Sequence, residues 1–123
     1  MLSCATATFD TGLKSLLART GPHFVHFQGS WCGDCLRTNK GVEQAVSKTG
    51  GALLRVAVGD KPEWRSPDHA LRQDSRTKLR VIPTLIHWTE GGPGARLESE
   101  LESAPTEAEA EKVTLAFIEQ CRS

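Results

Sequence analysis

No charge of either sign prevails in this chain. Fifteen Lys plus Arg stand against fifteen Asp plus Glu, and a formal net charge of zero offers no general attraction for nucleic acid or an acidic membrane. No apolar run approaches the roughly 20 residues of a membrane-spanning helix, and the opening MLSCATATFD has neither a basic segment nor an apolar stretch of the secretory kind. No internal repeat, low-complexity tract or linker divides the sequence. These absences predict a cytoplasmic protein that binds neither nucleic acid nor membrane. A length of 123 residues predicts a single domain, 1–123, able to bury a core without metal or disulfide staples. The acidic run Glu98, Glu100, Glu102, Glu107, Glu109 and Glu111 and the basic residues Arg65, Arg72, Arg76, Lys78 and Arg80 read as solvated faces.

Cysteine is scarce, and without a secretory start its four copies do not read as a structural disulfide framework. Cys4 lies near a terminus with no context that argues for reactivity. Cys121 falls on the helical stripe Val113, Phe117, Cys121 and is expected to be a buried apolar thiol. The other two stand in Trp31-Cys32-Gly33-Asp34-Cys35, between a strand-like run and a helix. Thiols two residues apart close a small disulfide, and unpaired N–H groups at a helix start favour a thiolate on the first sulfur. The same spacing is half of a zinc site or part of an iron–sulfur site, but His23, His69 and His87 have no spacing that joins them to the pair. No metal is expected.

The elements follow from apolar spacing and turn chemistry. Leu13, Leu16 and Leu17 predict a helix stopped at Gly21-Pro22, and His23 to Gln28 (HFVHFQ) predicts a strand turned by Gly29-Ser30. The motif opens a helix through Val42, Ala45 and Val46, expected to bend near Gly41. Leu53 to Val58 is a strand, GDKPEWRSP a long connection, and Asp68 the cap of a helix running through Ala70 and Leu71 towards Leu79. Thr84 to Trp88 and Arg96-Leu97-Glu98 form an antiparallel hairpin across the glycines at 91, 92 and 94. A last helix starts at a capping box of Thr106 and Glu109. The expected class is α/β, a mixed β-sheet sandwiched between α-helices.

Two further signatures carry a resemblance. WCGDC after a strand, with Ile82-Pro83-Thr84 opening a later one, resembles the thioredoxin fold, in which an X-Pro bond in cis faces the cysteine pair. VGDKPEWRSP (58–67) and LRVIPTL (79–85), with Asp34 inside the motif, are similar to the thioredoxin-like family of thioredoxin domain-containing protein 17. The resemblance implies a cytosolic disulfide reductase with no bound cofactor. It also implies electrons from thioredoxin reductase or another dithiol donor, and substrates among small disulfides or disulfide-containing proteins with exposed bonds. A monomer is expected. Departures from the family are Gly33 in place of its usual proline, a shorter loop before Trp31, no proline near Lys40-Gly41, and His26 where many thioredoxins bury an aspartate.

Within that frame Cys32, at the very start of the helix, is the expected nucleophile, and Cys35, a turn inside, the resolving thiol. Trp31 is expected to cover the disulfide and shape access, or else to pack. Gly33 lets a substrate chain approach or simply loosens the helix start. Asp34 either suits the first helical turn or opposes the thiolate as a like charge. Ile82 and Pro83 are expected beside the substrate, the proline lacking an N–H. His26 is either a base for the Cys35 proton or a satisfied core histidine. The rival function is a redox-gated binding module with little turnover, docking a partner at the Pro83 loop and at Lys61, Trp64 and Arg65.

Overall fold

The computed structural model describes residues 1–122, so the last residue of the expected 1–123 domain lies outside the described residues. In chain order the elements are β1 (Leu2–Ala5), a 3-10 turn (Thr6–Thr8), α1 (Phe9–Leu17), β2 (His23–Gln28), α2 (Gly33–Lys48), β3 (Ala52–Ala57), α3 (Lys61–Arg65), α4 (Ala70–Gln73), β4 (Thr84–Thr89), β5 (Gly92–Leu97), α5 (Ser99–Glu102) and α6 (Glu107–Arg122). The sheet runs β1-β3-β2-β4-β5. β3 is parallel to β1 and β2, whereas β4 is antiparallel to β2 and β5. This is the expected mixed sheet between helices.

Strand alternation divides the core into two layers. Val25, Phe27, Leu54, Val56, Ile86 and Trp88 face α1, α3 and α4, where Phe9, Leu13, Leu16, Trp64 and Leu71 cover them. Phe24, Leu53 and Leu85 face α2 and α6, against Val42, Ala45, Val46, Phe117 and Ile118. Because β2 is covered on both sides, HFVHFQ has no polar face, and its four central residues are all buried. His26 and Arg55 share the α2 side by the same parity.

Several expectations need correction. β1 has no counterpart among the expected elements; it is a four-residue edge strand whose side chains alternate between half-buried and exposed. KPEW is a short helix rather than open connection: Asp60 accepts the Glu63 N–H at 2.9 Å, and Glu63 reaches back to the Asp60 N–H at 3.4 Å. The helix expected from Asp68 to Leu79 shrinks to α4, capped by His69, whose Nδ1 accepts the Leu71 N–H at 3.1 Å. Asp74 ends it by accepting the Arg76 N–H at 2.9 Å, a turn that competes with the helix. α2 is unbroken through Gly41, which serves a close approach instead: a Cβ there would lie 2.5 Å from the Glu107 carbonyl oxygen of α6. Cys121 is half-buried against the α2–α6 layer, less enclosed than its stripe predicted.

Candidate functional site

Register brings the motif and the Ile82-Pro83 peptide to one end of the sheet. Phe27, near the end of β2, pairs with Thr84, the first residue of β4, so the loop 29–32 and the segment 81–83 leave the sheet side by side. The Ile82-Pro83 bond is cis, and both residues are buried. The end of β3 joins them, because Val58 N donates to the Gln28 carbonyl at 3.0 Å. Trp31 spans the gap: its indole N–H donates to the Gly59 carbonyl at 2.8 Å, and its ring lies over Gly29, where a Cβ would come within 2.9 Å of it. The tryptophan is thus fixed beside the pair by the start of the KPEW segment.

Cys32 caps α2. Its backbone is extended (φ −87°, ψ 114°), and its Sγ accepts the Cys35 N–H at 3.2 Å. The sulfur therefore occupies the place of an N-cap oxygen, among donors the helix leaves unpaired. Both cysteines are free thiols, Cys32 partly exposed and Cys35 fully buried. Burial pushes the Cys35 thiol well up, the hydrogen bond with Cys32 and the charges of Cys32 and Asp34 add to this, and a backbone hydrogen bond at Gly29 opposes it. The two sulfurs are thus unequal, one accessible at a helix start and the other enclosed.

Asp34 lies in the first helical turn, 2.8 Å from Arg37 Nη1. Arg37 also donates to the carbonyls of Ala104 and Glu102, each at 2.7 Å, which ties the motif helix to α5. The carboxylate accordingly faces a fixed cation, and its opposition to a thiolate is reduced. Gly33 occupies open space, with nothing within 4 Å of where a Cβ would stand and no positive φ, so the fold does not require glycine there.

His26 lies deeper in β2, fully buried. Arg55 Nε donates to its Nδ1 at 3.2 Å, while Nε2 has no partner. Burial first, and then the Arg55 charge, hold the ring far below its ordinary range, at about 3. Arg55 also donates to the Asn39 carbonyl at 2.8 Å and approaches Glu43 at 3.5 Å. His26 is thus only half satisfied, and an unmet buried donor of this kind costs about 1–3 kcal/mol.

Arg37 and Arg55 were not singled out from the sequence. Arg37 follows Asp34 by three residues, a helical pairing distance, and Arg55 is the one charge within the apolar run LLRVAV. Of the residues considered for a partner surface, Trp64 instead packs down, buried and stacked by the Arg72 guanidinium at 3.7 Å. Among the described residues no group of three or more His, Cys, Asp or Glu is placed to hold a metal ion, and no helix is long and apolar enough to cross a membrane.

Residues 6–107 match the family described as thioredoxin domain-containing protein 17-like, thioredoxin domain. Thioredoxin domain-containing protein 17 of Mus musculus is 30% identical over 101 residues, covering 75% of this chain and 77% of that protein. Thioredoxin-like protein Clot of Arabidopsis thaliana is 39% identical over 71 residues, covering 56% of this chain; the match spans about half (53%) of the plant relative's length. Among solved structures, thioredoxin f from spinach chloroplast (long form) superposes with a TM-score of 0.60 at 18% identity, covering 99% of this chain and 86% of that one. That likeness shows the thioredoxin fold.

Proposed function

This chain belongs to the thioredoxin domain-containing protein 17-like thioredoxin family, and from that membership we propose that it is a dithiol–disulfide oxidoreductase acting as a disulfide reductase. The observation that carries the reading is the inequality of the pair: Cys32 Sγ caps α2 and is partly exposed, whereas Cys35 is enclosed. Cys32, as thiolate, attacks a substrate disulfide and forms a mixed disulfide, expelling one substrate sulfur. Cys35 then attacks Cys32 Sγ. The Cys32–Cys35 bond forms, the Cys32–substrate bond breaks, and two electrons have passed to the substrate, which leaves as two thiols. An external dithiol donor, thioredoxin reductase or another, restores the pair; no bound cofactor takes part.

The surroundings suit small or exposed disulfides. Trp31, held by Gly59, directly precedes Cys32, and the Pro83 loop lies at the same sheet end, its proline without an N–H to offer. Leu36 (61% exposed) and Val81 (37% exposed) adjoin the pair and this loop in sequence, giving an apolar approach for a polypeptide carrying the disulfide. We place the protein in the cytoplasm as a monomeric single domain.

Turnover tests the proposal. With thioredoxin reductase and NADPH, cystine or an insulin-type disulfide is reduced by wild type and not by Cys32→Ser. Absence of turnover with every dithiol donor tried, together with a stable partner complex, would replace the enzyme by the redox-gated binding module.

A further inference from the structure

An arginine at the Pro83 turn is exposed and yet held at both ends. Arg80 lies two residues before Ile82, and its side chain, 76% exposed, is the outer member of an ion pair whose carboxylate, Glu98, is only 16% exposed. Arg80 Nη2 donates to Glu98 Oε1 at 3.0 Å, while Glu98 Oε2 is buried without a partner. Parting the two would leave a largely buried charge unpaired, which costs far more than parting an exposed pair. The main chain is held as well. The Arg80 carbonyl accepts from Arg72 Nη1 at 3.3 Å, and the same guanidinium donates through Nε to the Trp64 carbonyl at 2.9 Å and lies over the Trp64 ring. Thr84 Oγ1 donates to the Val81 carbonyl at 2.8 Å and closes the turn that carries the cis peptide.

Register places this anchor at the site. Leu97 pairs with Leu85, so Glu98 leaves β5 next to Thr84, the residue that follows Pro83. Thr84 in turn pairs with Phe27, from which the loop 29–32 leads to Cys32. A polypeptide presenting its disulfide to Cys32 across the Pro83 turn meets the outer edge of the guanidinium, whose Nε and Nη1 are not the atoms bound to Glu98. Nearby carboxylates are already engaged: Asp34 with Arg37, and Asp60 and Glu63 with each other's N–H groups. Lys61 and Arg65, both exposed on α3, add positive charge on the side that Arg72 ties to the turn. Glu100 and Glu102 lie beyond Glu98 on α5, which confines the positive rim to the α3 side.

We propose that Arg80 binds a carboxylate of the substrate, so that the preferred substrates are polypeptide disulfides with an acidic residue beside the reacting cysteine; this rests on Cys32 being the attacking sulfur. Glu98 and Arg72 position Arg80. An exposed arginine ordinarily loses side-chain freedom when it binds, but here the fold has already restricted it, and the fork keeps donors for a carboxylate. The cation is the outer charge of the pair and Glu98 the deeper one, so an approaching carboxylate comes nearer to the attracting member. Arg80 takes no part in proton or electron transfer.

Cysteine peptides activated as 2-pyridyl disulfides, mixed with reduced protein whose Cys4 and Cys121 are replaced by serine, test this. The Cys32 sulfur bonds to the peptide sulfur, the peptide–pyridyl bond breaks, and uncharged 2-thiopyridone departs with the electron pair and reports the step by absorbance. The peptides differ only in the residue beside cysteine, Glu, Gln or Lys, and each rate constant is divided by that of the same peptide with 2-mercaptoethanol. At low ionic strength the Glu peptide is expected to react about fivefold faster than the Lys peptide, with the ratio shrinking in salt. Arg80→Gln brings the ratio close to unity, whereas Arg80→Lys keeps the order with a smaller ratio. Arg80→Gln combined with Glu98→Gln removes no net charge and leaves no buried carboxylate unpaired; its ratio is also expected near unity, and it carries the test if the single variant does not fold. A wild-type ratio at or below unity, or one that survives in the glutamine variants, overturns the assignment of Arg80 alone. Failure of wild type to react with any of the peptides overturns the reading of Cys32 itself.

Discussion

Arg55 Nε donates to His26 Nδ1 at 3.2 Å between strands in register, so a guanidinium and a neutral imidazole share the interior beneath α2. The guanidinium also reaches the Asn39 carbonyl, one turn beyond Cys35 on α2, and the imidazole keeps one buried nitrogen without a partner. The consequence for stability is felt in acid.

In the unfolded chain His26 titrates near its ordinary value of about 6.5, whereas the folded ring is held at about 3. Between these values the unfolded state binds a proton that the folded state refuses. The contribution is complete above about pH 6.5 and is lost as pH falls towards 3, with a steepest slope of about 1.4 kcal/mol per pH unit. Urea midpoints measured between about pH 7 and about pH 5 should fall in wild type and change less in His26→Gln.

Arg37 should govern the first chemical step. It holds Asp34 at 2.8 Å, and removing it frees a carboxylate two residues from Cys32, in the first turn of α2. Arg37→Ala should slow attack by Cys32 about twofold at low ionic strength, with the difference shrinking in salt. Asp34→Asn in the same background should restore the rate. Alkylation kinetics with iodoacetamide, which is uncharged, check both without added electrostatics.

Gly33 is the first residue of α2, where proline is favoured, and Cys32 before it already has the extended backbone that proline demands. Open space surrounds a Cβ at this position. Gly33→Pro should therefore stabilise the protein by about 0.4–1 kcal/mol through the unfolded chain, seen as a rise in Tm of a few degrees.

Much of this was legible in the residues. HFVHFQ read as a strand from its β-branched and aromatic residues, the glycine-rich turn after Trp88 announced the hairpin, and CxxC after a strand placed the sulfurs at a helix start. Where local chemistry competed with periodicity, periodicity misled: His69 rather than Asp68 caps α4, and the turn at Asp74 ends it after four residues. β1 is too short for its alternation to stand out. The partnerships of Arg37 and Arg55 span 67 and 16 residues respectively, to Ala104 and Asn39, and local spacing carries no record of such pairings. The same holds for the tautomer of His26, which only its cross-strand neighbour decides.

The central claim, that Cys32 is the attacking sulfur and Cys35 the releasing one, is tested most directly by trapping. Cys35→Ser protein incubated with a disulfide-bearing polypeptide and mapped by mass spectrometry should hold one stable mixed disulfide, at Cys32, that wild type releases and Cys32→Ser never forms. A bond mapped instead to Cys4 or Cys121, or equal trapping by Cys32→Ser through Cys35, would contradict it.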